Sequence, residues 1–259
     1  MSENVIFCFS GSGNCLDIAR TIAAKLGDTD VVLMRREPAV TDASHARRVG
    51  FVFPCYAGGL PGHVEEYVKK IRVGDAYTFG VVSCAAYPGV GLRRIDRIHP
   101  LRYWTVISHQ SACIWLMPHT TMLPPMKAEA AQRRAERLAE QAAEDILAGV
   151  ETDCHPPENS FNRLETALWP TLCKKKAAAF TVDYKCLSCG QCVRLCPQGN
   201  IRLVDKQPVF GKNCIGCLSC LQYCPKQAIN VGKITEKRER YPNRNVSATE
   251  LSQKIIHID

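Results

Sequence analysis

The sequence predicts an α/β protein in two unequal parts: a five-stranded parallel sheet covered by helices, followed by a small α+β domain built around cysteine. Three observations predict it. Apolar strand-like runs alternate with helical stretches over about 150 of the 259 residues. Glycine-rich loops follow the first, third and fourth of those runs. Eight of the 15 cysteines then fall between Cys186 and Cys224, in two copies of C-x2-C-x2-C-x3-C-P.

Residues 5–9 (VIFCF) form an apolar run that stops at SGSGN, and residues 14–26 place Leu16, Ala19, Ile22, Ala23 and Leu26 at helical spacing. The second strand is expected at 31–34. VGFVFP, at 49–54, is apolar on both faces, as the centre of a parallel sheet requires. A helix after Pro61 runs through Val64, Tyr67, Val68 and Ile71, and 77–84 is the fourth strand. Between Gly91 and Ser108, Leu92, Ile95, Ile98 and Leu101 keep helical spacing although Pro100 interrupts them. A helix is expected there, which leaves CIWLM at 113–117 as the fifth strand. Residues 126–150 are rich in alanine, with Ala131, Ala135, Leu138, Ala142 and Ile146 on one side. Alternation of this kind implies a sheet covered on both faces.

HPPENS, at 155–160, breaks the pattern, and 161–179 is expected as a connecting helix. The expected division is an α/β domain at 1–150, a connecting segment at 151–180, a cysteine domain at 181–232 and a basic tail at 233–259. That tail ends in LSQKIIHID, expected to dock back as a strand or a short helix.

The start of the chain has neither a basic n-region nor a small-residue cleavage site. No apolar run approaches the 18 or so residues that span a bilayer. With so many cysteines outside a short secreted scaffold, a reducing cytoplasm is the expected compartment, with no transmembrane segment.

Four thiolates hold a cubane, and three closely spaced cysteines can wrap three of its corners. In two-cluster runs of this form the fourth cysteine serves the other cluster. Cys186, Cys189, Cys192 and Cys224 are therefore expected to bind one [4Fe–4S] cluster, and Cys214, Cys217, Cys220 and Cys196 a second. Crossed ligation of this kind ties the two halves of the domain together. Structural zinc is the alternative, but zinc sites present two C-x2-C pairs rather than four cysteines in an eleven-residue run. This segment resembles bacterial two-[4Fe–4S] ferredoxins, including the Ala228–Ile229 pair after the last Cys-Pro.

SGSGNC, from Ser10 to Cys15, lies where the first strand turns into the first helix, and glycines there let backbone amides converge on a phosphate. It is neither a Walker loop, because no lysine follows, nor G-x-G-x-x-G, because Leu16 stands three residues after Gly13. PCYAGGLPG (Pro54 onward) and CAAYPGVG (Cys84 onward) follow the third and fourth strands, each with one tyrosine able to stack on a planar ring. In doubly wound sheets of order 2-1-3-4-5, ligands sit beyond the carboxyl ends of strands 1 and 3.

With FSGSGN, FPCYAGGLP, the WLMPH stretch and the doubled cysteine run, the chain is similar over nearly its whole length to flavodoxin–ferredoxin fusion proteins of anaerobic bacteria and archaea. The resemblance implies a flavodoxin-like sheet of order 2-1-3-4-5 and non-covalent FMN. The phosphate would lie at Ser10, Ser12, Gly13, Asn14 and Cys15. Pro54, Cys55, Tyr56, Ala57 and Gly58 would flank the ring on one side, and Cys84, Ala85, Ala86, Tyr87, Gly89 and Gly91 on the other. Flavodoxins usually carry a hydroxyl residue where this chain has Cys15, so one side-chain hydrogen bond is lost and the helix amide stays.

The function expected is electron transfer between FMN and two [4Fe–4S] clusters, with redox proteins as partners. The alternative is an FMN-dependent reductase of a small acceptor such as a quinone or nitro compound, with His119 in HTTMLPPM as a proton donor. The formal charge of +8 suggests nucleic acid, but eight thiolates around two doubly charged cluster cores would halve it. The basic residues are also dispersed apart from 174–176 and 237–240. No nucleic-acid partner is expected.

Overall fold

The computed structural model describes residues 2–115, 125–158 and 160–259. Its first half alternates as β1 (Asn4–Cys8), α1 (Asn14–Leu26), β2 (Thr29–Leu33), β3 (Arg48–Pro54), α2 (Gly62–Val68), β4 (Tyr77–Cys84), α3 (Gly91–Ile98) and β5 (Tyr103–Ser108). The strands β1 and β4 are buried throughout, and β3 is buried except at Pro54. These central strands need apolar residues on both faces because helices cover the sheet on both sides. One face packs on α1 and on α4 (Pro125–Leu147), whose Ala135, Ala139, Ala142 and Ala143 let it lie close to Ala19, Ile22 and Ala23. The other face packs Phe7, Phe51 and Phe53 against Val64, Val68, Leu92 and Ile95 from α2 and α3.

The sheet is mixed and mostly parallel. Its order is β10-β2-β1-β3-β4-β5, where β10 is Ile255–Ile258 at the far end of the chain. The five strands of the first half run parallel in the order 2-1-3-4-5, and β10 adds a sixth, antiparallel to β2. The expectation of five strands is corrected by this addition. Edge strands expose unpaired backbone groups, and β10 caps the one on β2.

A second correction concerns the fifth strand. It is YWTVIS at Tyr103–Ser108, not CIWLM. The helix before it stops at Ile98 because His99, which precedes Pro100, is forced into extended geometry (φ −131°, ψ 108°). Cys113–Trp115 carries no strand, and Trp115 is buried against Trp169 instead. Leu116, Met117 and His119 lie outside the described residues.

Connecting helix α5 (Ser160–Ala177) lies against the loop after β3, where the Thr166 hydroxyl donates to the Ala57 carbonyl at 3.1 Å. The cysteine-rich region then folds as β6 (Phe180–Val182), α6 (Gln191–Leu195), β7 (Ile201–Val204), β8 (Gln207–Phe210), α7 (Ser219–Gln222) and β9 (Ile229–Val231). Two small antiparallel ribbons, β6 with β9 and β7 with β8, frame it. The tail packs back on the sheet domain through α8 (Ala248–Ser252) and β10. A capping box between Ser247 and Glu250 starts α8. Among the described residues no helix is long and apolar enough to cross a membrane.

Candidate cofactor sites

The two cysteine runs share one backbone plan. In each, the residue before the second cysteine and the residue after it take left-handed geometry: Ser188 (φ 54°) and Gly190 (φ 71°) in the first run, Gly216 (φ 74°) and Leu218 (φ 60°) in the second. Successive turns of this sign roll the chain around a centre and converge its amides there. The fourth cysteine of each run accepts a backbone N–H from the residue four positions on: Asn200 to Cys196 Sγ at 3.2 Å, and Ala228 to Cys224 Sγ at 3.3 Å.

The fold sorts the eight cysteines into two sets of four. Cys186, Cys189, Cys192 and Cys224 line one small cavity. Cys196, Cys214, Cys217 and Cys220 line another. None of these eight cysteines is in a disulfide. Burial, then neighbouring thiols, push Cys217 up to about 12. For Cys192 burial is again the first cause, and it reaches about 11. Such thiols stay protonated unless a cation draws off the proton. Among the described residues no three His, Cys, Asp or Glu side chains converge tightly enough for a single metal ion. A zinc ion would hold its thiolates at about 2.3 Å, whereas a cubane spreads them over four iron corners.

Residues 185–229 match the 4Fe–4S dicluster domain family. No curated protein matches the chain. The dicluster domain accounts for the doubled cysteine run.

A larger cavity, about 480 Å³, opens at the carboxyl ends of β1, β3 and β4. From the phosphate-type loop it is lined by Ser10, Gly11, Ser12, Asn14 and Cys15, and from the two later loops by Pro54–Gly58 and Ser83–Tyr87. Of the positions expected from sequence, Gly13, Gly89 and Gly91 do not border it. A Cβ on Gly89 would stand 2.1 Å from the Gly58 carbonyl oxygen, which also accepts from Val90 N–H at 2.7 Å, so this glycine locks the two loops together. Gly91 is pressed against Phe53. Three further groups complete the lining: Gln110–Cys113 after β5 and Trp169 on α5, which no motif announces, and Gly216–Leu218 from the second cysteine run.

Among the described residues, none that lines the cavity carries a formal charge. Positive potential at the loop comes from α1, whose first-turn amides have no side-chain cap and whose macrodipole points its positive end there. The Ser10 hydroxyl accepts from Gly13 N–H at 3.1 Å. Tyr56 packs edge-on to Phe9 and tilted against Trp169. Trp169 is 7% exposed, and its indole Nε1 has no partner among the described residues. The donor set, uncharged walls and two tyrosines fit a planar ring bearing a phosphate.

Proposed function

We propose that the chain is an electron-transfer flavo-iron–sulfur protein, with FMN in the 480 Å³ cavity and one [4Fe–4S] cluster on each cysteine set. FMN exchanges one or two electrons and a cubane exchanges one, so together they join two-electron to one-electron chemistry. The single observation that carries the reading is Cys217. It belongs to the second cysteine set and also lies in the wall of the large cavity. A ligand sulfur there would leave no intervening layer of protein between the two cofactor sites.

The chain's own residues would do the holding and tuning. Amides of Asn14 and Cys15, with the hydroxyls of Ser10 and Ser12, would hold the phosphate. Tyr56 and Tyr87 would contact the ring. N–H groups on Cys196 and Cys224, with Gly216 N–H on Cys214 at 3.4 Å, would stabilise thiolate charge and so influence cluster potentials. An anaerobic ultraviolet–visible titration with flavin and iron quantitation, followed by EPR, tests the proposal. Two cubanes of iron and one FMN per chain are expected. Protein purified anaerobically and reconstituted that still lacks flavin would sink it.

One observation favours the second reading, a flavin-dependent reductase of a small organic acceptor. Tyr87, 40% exposed at the cavity, holds its hydroxyl 2.8 and 2.7 Å from the two oxygens of Glu165. Burial, then that carboxylate, push Tyr87 up to about 12. The phenol therefore keeps its proton at neutral pH, and its place at the cavity is what offers that proton to a reduced acceptor. Turnover of a quinone or nitro compound, set beside one-electron transfer to a carrier protein, separates the two readings.

A further inference from the structure

The loop between β1 and α1 is held from behind by residues far along the chain. Ser219 Oγ donates to the Gly11 carbonyl at 2.8 Å. The Ser12 carbonyl accepts twice, from the Tyr223 hydroxyl at 3.0 Å and from the Asn243 N–H at 2.7 Å. Asn243, 2% exposed, also donates its side-chain amide to Asn14 Oδ1 at 3.2 Å and Asp17 Oδ2 at 3.3 Å. The approach is close. A Cβ on Gly11 would stand 2.4 Å from the Cys217 carbonyl oxygen, and one on Gly13 would stand 2.5 Å from the Tyr223 hydroxyl.

Peptide geometry turns these contacts into an effect on the cavity side. In a trans peptide the C=O and the following N–H point in opposite directions. Fixing the Gly11 carbonyl on Ser219 sends the Ser12 N–H the other way. Fixing the Ser12 carbonyl sends the Gly13 N–H toward Ser10, where it is found on the hydroxyl at 3.1 Å. The orientation of the donors at the phosphate end is therefore set by groups that do not themselves border the cavity.

We propose that Ser219, Tyr223 and Asn243 are positioning residues for the flavin phosphate, so that the sheet domain grips FMN only while the dicluster domain and the tail are folded against its loop. The proposal rests on reading the large cavity as an FMN site. Ser219 and Tyr223 flank Cys220 on the segment between Cys217 and Cys224, so assembly of the cysteine sets and retention of the flavin become linked equilibria. Linkage of this kind is reciprocal. Bound FMN should in turn raise the equilibrium retention of iron by the second set.

The test uses the full chain with its iron counted under anaerobic conditions, and the variants Tyr223→Phe and Ser219→Ala, which each remove one hydroxyl. Dissociation constants are measured for FMN and for riboflavin, which lacks the phosphate. Removing one loop hydrogen bond should weaken FMN about two- to tenfold while riboflavin stays within about twofold. Equal weakening of both flavins would reduce these residues to domain packing and overturn the proposal, as would no change in either. If Ser219→Ala loses iron, Tyr223→Phe decides, since that hydroxyl donates to the Ser12 carbonyl. A wild-type protein that binds riboflavin as tightly as FMN would instead remove the underlying reading, because no phosphate grip would exist to be positioned.

Discussion

Gly13 has φ 98°, a left-handed value that costs any L side chain, and the place of its missing Cβ is taken by Tyr223 and Asn243. The glycine that sequence assigns to phosphate contact is thus required first by packing. Gly13→Val should destabilise the protein by about 2–4 kcal/mol, combining the backbone cost with overpacking, as measured by anaerobic denaturant unfolding. Cys15 has the opposite character: it borders the cavity, is 2% exposed, and its thiol is pushed up, by burial first. Cys15→Ser restores a stronger hydrogen-bonding group of nearly the same size. It should tighten FMN relative to riboflavin by about two- to tenfold, read by flavin fluorescence; an unchanged ratio would show that the thiol position does not face the phosphate.

Among the elements, α2 brings His63 against the edge of Phe9 at 4.5 Å, with Nε2 donating to the Met34 carbonyl at 3.1 Å. Burial lowers this imidazole from 6.5 to about 4. The unfolded chain therefore binds a proton that the folded chain refuses between those values, and stability is lost as pH falls from about 6.5 toward 4. His63→Gln should flatten that part of the stability–pH curve, followed by denaturant unfolding between pH 7 and 5, with visible absorbance reporting cluster integrity. A parallel slope in the variant would assign the pH effect elsewhere. At the sheet edge, β10 pairs Ile255 with Val32 and Ile258 with Thr29. Deleting residues 255–259 bares β2, so unfolding at lower denaturant and concentration-dependent light scattering are expected.

At the scale of the whole molecule, the two cysteine sets differ in what they touch. The Cys186 set lines a cavity of its own, whereas Cys217 of the other set lies in the wall of the large cavity. Cys186→Ala should cost one cluster and leave flavin affinity nearly intact. Cys217→Ala should cost the other cluster and flavin together. Iron and flavin counted per chain after anaerobic purification distinguish the two, and equal flavin retention in both variants would show that the sites are thermodynamically independent. A sequence-based division into separate domains favours such independence. The carbonyls of Gly11 and Ser12, bonded to Ser219, Tyr223 and Asn243, argue against it.

The sequence by itself determined what depends on local pattern: the α/β alternation, the central strands whose two apolar faces need two helical layers, the cysteine spacing, and the glycine-rich turns at strand ends. It misplaced β5, because the helical spacing of Leu92, Ile95 and Ile98 runs on to Leu101 across a proline whose effect falls on the residue before it. Long-range approach was decided by the tertiary structure alone. Nothing in LSQKIIHID names β2 as its partner, since backbone pairing is nearly blind to sequence and the vacant edge exists only after the sheet has formed. Likewise Trp169, Ser219, Tyr223 and Asn243 carry no motif. They reach the cavity or its loop because three distant segments fold onto the same strand ends, and contact there is a property of the packed chain rather than of any one stretch of it.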